Sequence, residues 1–87
     1  MVKILSIEPH LERATVCVET DSTYQFLTID RHNKIQCHDS YSKADYKDFD
    51  HFVGIMGKFD PHCLFMKEPL ILEELTYAAL VEKGVSL

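Results

Sequence analysis

The chain has no tryptophan and few of the residues that punctuate or cross-link a fold: three glycines, three prolines and three cysteines in 87 residues. Each shortage excludes something. Gly54, Gly57 and Gly84 cannot supply a glycine-rich phosphate loop, because Gly54-Ile55-Met56-Gly57-Lys58 lacks both its spacing and its following Ser or Thr. Cys17, Cys37 and Cys63 form neither an even set nor a Cys-x-x-Cys pair, so no disulfide framework is expected. The first apolar run, Ile4 to Ile7, is shorter than a signal peptide's apolar core and far shorter than a membrane span. With its odd thiols it reads as a cytoplasmic protein with reduced cysteines.

Positive charge is also scarce. Nine Lys and Arg face fourteen Asp and Glu, a formal charge of -5. That balance argues against direct nucleic-acid binding and against anionic membranes, both of which need clustered cations. The excess is uneven. Residues 1–44 hold five basic and six acidic side chains, whereas residues 45–87 hold four and eight. An acidic C-terminal half can steer a basic partner.

What the chain has is apolar residues, 46% of the total, enough for one packed domain and against disorder. Strand patterning fills its first half. Val2–Ile7 is aliphatic and ends before Pro9. In Arg13–Thr20, Ala14, Val16 and Val18 alternate with Arg13, Thr15, Cys17 and Glu19. Thr23–Ile29 is strand-forming, with Tyr24 and Phe26 on one face, and Lys34–His38 follows a polar turn. After residue 41 the period changes. Ser42 and Asp45 resemble a capping box, and Tyr46, Phe49, Phe52, Val53 and Met56 fall on one helical stripe that Gly57 would end. Cys63–Met66 reads as a fifth strand or a buried connector. Pro69 suits the first turn of a second helix, which Lys83 and Gly84 would close. The expected fold is α+β: an antiparallel meander of about four strands, then two C-terminal helices packed on one face, all in one domain at 1–87.

Read as a helix, residues 69–83 carry two apolar stripes. Ile71, Leu72, Leu75, Ala78 and Ala79 would face the core, while Leu70, Tyr77, Leu80 and Val81, flanked by Glu73 and Glu74, would form a candidate interface. On that basis the leading expectation is a small acidic, non-catalytic interaction or regulatory module. Its partner would be another protein or a second copy, and one version is an inhibitor of a nucleic-acid-handling protein. No cofactor is expected.

Two alternatives rest on other residues. Five histidines include the adjacent pairs Cys37-His38 and His62-Cys63, with His32 and His51 as additions, and these are the right types for zinc. Strand alternation opposes this, since it sends Cys37 and His38 to opposite faces. The third class is a ligand-binding or enzymatic domain with its pocket between sheet and helices. Its chemistry could draw on His38-Asp39 or on Asp60, His62 and Cys63, although neighbours in sequence rarely meet as an active pair.

Overall fold

The computed structural model describes residues 2–9, 12–59 and 65–82. Five strands form one antiparallel sheet: β1 (Val2–Pro9), β2 (Arg13–Glu19), β3 (Thr23–Asp30), β4 (Ile35–Ser42) and β5 (Phe65–Leu72), in the order β4-β3-β2-β1-β5. The first four make the expected meander, and their short polar turns explain it. Thr20 Oγ1 accepts from the Thr23 amide at 2.9 Å, and Asp30 Oδ1 accepts from His32 and Lys34 amides at 2.8 and 3.0 Å. Asn33, with φ 62°, takes the left-handed position that Asn tolerates well.

Both faces of the sheet are covered. Ile4, Ala14, Val16, Val18, Leu27 and Ile29 pack on one face, and Leu5, Cys17 and Tyr24 on the other. The second face receives helix α1 (Phe49–Phe59), whose Phe52 is fully buried beneath Tyr24 with ring centroids 4.2 Å apart. Phe49 and Met56 of the expected stripe join that cluster, Tyr46 joins it from ahead of the helix, and Val53 is half-buried and not part of it. The first face receives Leu80, also fully buried, from helix α2 (Tyr77–Leu80). The two helices therefore lie on opposite faces rather than on one. The reason is in the strands: Ile4-Leu5 and Val16-Cys17-Val18 are buried on both sides, so each face needs a cover.

Helix α1 starts later than the capping-box reading places it. Ser42 Oγ does accept the Ala44 amide, at 3.3 Å, but caps a single 3-10 turn at Lys43–Asp45. Asp48 is the cap of the helix itself, its Oδ1 accepting the His51 amide at 2.9 Å. The helix also runs through Gly57 to Phe59.

The larger correction falls on residues 69–83. Over the described part, residues 69–82, no long helix forms. Val2↔Leu72, Lys3↔Ile71 and Ile4↔Leu70 pair as strand β5 on the open edge of β1. Pro69 is tolerable because an outer strand does not need every amide. The period is 2, with Leu72 buried and Ile71 half exposed. Residues 73–76 turn the chain, and Thr76 Oγ1 accepts the Ala79 amide at 3.1 Å to start a single helical turn, followed by a wider π turn at 81–82. The expected stop at Lys83 and Gly84 lies outside the described residues. Among the described residues, no helix is long and apolar enough to cross a membrane.

Candidate functional site

An eleven-residue helix spans about 16 Å, whereas eight-residue strands reach about 26 Å. Helix α1 therefore cannot cover its whole face. Beyond Phe52 the described residues leave the floor of β2, β3 and β4 open, and a cleft of about 560 Å³ lies there. Phe26, Tyr41 and Met56 form its apolar walls, and Arg13, Thr28, His38 and Asp39 supply its polar groups. Phe26 and Tyr41 meet edge to face, with centroids 6.0 Å apart and planes at 90°. A cleft of this size, mostly apolar with a few convergent polar groups, is the usual form of a small-molecule site.

A β-bulge builds the polar side. Phe26 pairs with Asp39 and Leu27 with Cys37, so His38 is the extra residue on β4. Simple alternation would send His38 and Asp39 to opposite faces. The bulge instead brings both to the cleft, where His38 Nε2 and Thr28 Oγ1 share a hydrogen bond. A second bulge in β1, between Ile4 and Ser6, makes Leu5 the extra residue and sets Ser6 opposite Cys17, on the same face as Leu5.

Electrostatically the cleft is graded along its length. Arg13 is exposed, and its guanidinium makes no ion pair or hydrogen bond among the described residues. Asp39 sits at the opposite end, opposite Phe26 rather than Arg13. Burial pushes the Tyr41 phenol above its ordinary value, and the Asp39 charge adds to this, so the hydroxyl remains neutral. Asp30, across the ladder from Arg13, is held below the usual carboxylate range. The Lys34 amide is the main cause; the His32 amide and the nearby cations of His32 and Lys34 add to it.

Thr28 and His38 are the types of a hydroxyl nucleophile and its base. Among the described residues the other parts of such a site do not accompany the pair. No carboxylate orients His38 through a hydrogen bond among the described residues. Thr28 lies in a strand laddered on both sides, so the amides of β3 itself are engaged and do not form an oxyanion hole.

The residues singled out from sequence scatter. Cys37 lies opposite Leu27, away from the cleft, and its thiol donates to the Asp39 carbonyl at 3.6 Å. His51 Nδ1 accepts the Lys47 amide at 3.0 Å and acts in the helix start. No metal-binding group of three His, Cys, Asp or Glu forms among the described residues, and Asp60, His62 and Cys63 lie outside them. The interface set does not share a helical stripe. Leu70 and Leu80 pack on the core, Glu73, Glu74 and Val81 are exposed, and Tyr77 donates its amide to Asn33 Oδ1 at 2.8 Å. Sequence reasoning passed over Arg13 and Thr28 as polar strand positions. The available signal was a polar alternate face, Arg13, Thr15 and Thr28, too long for an eleven-residue helix to cover. Compared with protein-family models, curated proteins and solved structures, the chain matches none.

Proposed function

We propose that this chain is a small non-catalytic binding module whose working site is the cleft between β2–β4 and α1. One observation carries the reading: Arg13, Thr28, His38 and Asp39 converge on an apolar slot of about 560 Å³. That volume lies in the range of drug-sized ligands, roughly 300–1,000 Å³. Catalysis is the weaker reading because, among the described residues, no acid orients the Thr28–His38 pair through a hydrogen bond. A ligand-observed NMR screen of fragments tests it. Fragments should bind the natural chain and lose binding to Thr28→Gln, which puts a longer side chain on the cleft floor. Binding that survives Thr28→Gln unchanged would place the site elsewhere.

A second reading keeps the protein-interaction role. Ile71 and Val81 are 50% and 44% exposed, and Glu73 and Glu74 lie exposed between them in the chain. This acidic, partly apolar surface suits a basic partner or a second copy. Native mass spectrometry should then detect a dimer or a captured partner that Ile71→Asp with Val81→Asp removes. Leu80 is unsuited to that test, being a core residue.

A further inference from the structure

The ligand class follows from what adjoins the cleft, and this inference rests on the cleft being the working site. A second, polar groove of about 390 Å³ shares Arg13 and Thr28 with the apolar cleft. The two form one trough, from Asp39 and Tyr41 at one end to the β3–β4 turn at the other. Around that turn the sign of the protein reverses. The chain as a whole carries -5, yet Arg13, Arg31 and Lys34 outnumber Glu12 and Asp30 in this groove. Asp30 keeps its charge within that balance, and its Oδ1 is held by both turn amides. Arg13 thus stands at the junction of an apolar slot and a locally cationic groove, with its guanidinium unpaired among the described residues.

We infer that the cleft takes an amphipathic anion: a flat apolar body seated among Phe26, Tyr41 and Met56, with one anionic group at Arg13. The guanidinium offers paired donors to a carboxylate, sulfonate or phosphate, a geometry that suits planar or tetrahedral oxyanions. Arg31 and Lys34 add to the field without needing contact. Orientation is set by the other end. Asp39 repels an anion there, and the Tyr41 hydroxyl and the His38 ring nitrogens offer hydrogen bonds to an uncharged polar group. The ligand therefore lies with its charge toward the β3–β4 turn.

Two fluorescent probes with the same arene separate the claims: 8-anilinonaphthalene-1-sulfonate and neutral N-phenyl-1-naphthylamine. The sulfonate should saturate at one site and bind about tenfold tighter than the neutral probe at low salt. Arg13→Gln, an exposed substitution whose folding circular dichroism checks, should erase that difference, and added salt should narrow it. Arg31→Gln should cost a few-fold only. Equal binding of both probes, unmoved by Arg13→Gln, would overturn the anion assignment while leaving the cleft standing. Failure of both probes to saturate, with no amide shifts at Phe26, Thr28 or His38, would overturn the cleft itself.

Discussion

Truncating Phe52 to Ala should be among the most damaging single changes in the chain. Its ring is fully buried, stacked on Tyr24 at 4.2 Å and 18°, and set edge-on to Tyr46 at 5.0 Å and 83°. Phe26 and Tyr41 stand 6.2 and 6.0 Å away. Removing a ring so enclosed costs about 3–5 kcal/mol in transfer and cavity terms. Eighty-seven folded residues are expected to hold only about 4–13 kcal/mol. Urea unfolding followed by circular dichroism should therefore show a large fall in midpoint with little change in slope. Phe52→Leu, which keeps part of the volume, should cost about 1–2 kcal/mol and stays measurable if the alanine variant does not fold. Phe49→Ala, at a half-buried position, should cost less than Phe52→Ala. A Phe52→Ala loss below about 1 kcal/mol, or one equal to that of Phe49→Ala, would refute the packing described for this face.

Further outcomes follow from the turns and from the titrating groups. Asn33→Gly should lose the Tyr77 amide bond but keep the left-handed backbone, whereas Asn33→Ala loses both and should be the less stable of the two, by about 1 kcal/mol in urea melts. Thr76→Ala removes the cap of α2 and should cost about 1 kcal/mol. The folded Asp30 carboxyl titrates below its unfolded value, so its stabilisation is present above about pH 4 and is lost as pH falls through the lowered folded value. Asp30→Asn should flatten that acid dependence of the urea midpoint. Tyr24 and Tyr41 are shifted upward, each chiefly by burial. Their stabilisation is full below about pH 10 and is lost as pH rises through the raised folded values, which phenolate absorbance should follow.

The meander was legible because its strands obey one rule. Ala14, Val16 and Val18 alternate cleanly, and the polar turns between strands leave few other pairings. Helix α1 was legible for the same reason, its aromatic stripe having one period. Residues 69–72 misled because Pro-Leu-Ile-Leu fits both the start of a helix and an edge strand, and local periodicity cannot choose between them. The edge of β1 chooses, through contacts up to seventy residues away in sequence, as Val2↔Leu72 shows. The cleft was hidden for a different reason. His38 and Asp39 share it only because a bulge adds one residue to β4, and no glycine marks that bulge. Arg13 reaches its role through the shortness of a helix thirty-six residues further on. Both facts depend on register and length in three dimensions rather than on residue type.

The most direct test of the cleft as the working site is an amide-shift titration of the natural chain with the naphthalene sulfonate. Saturable shifts gathered on Arg13, Phe26, Thr28 and His38, with residues 71–81 unmoved, are the result predicted here. Shifts centred on residues 71–81, or spread over the chain without saturation, would contradict it.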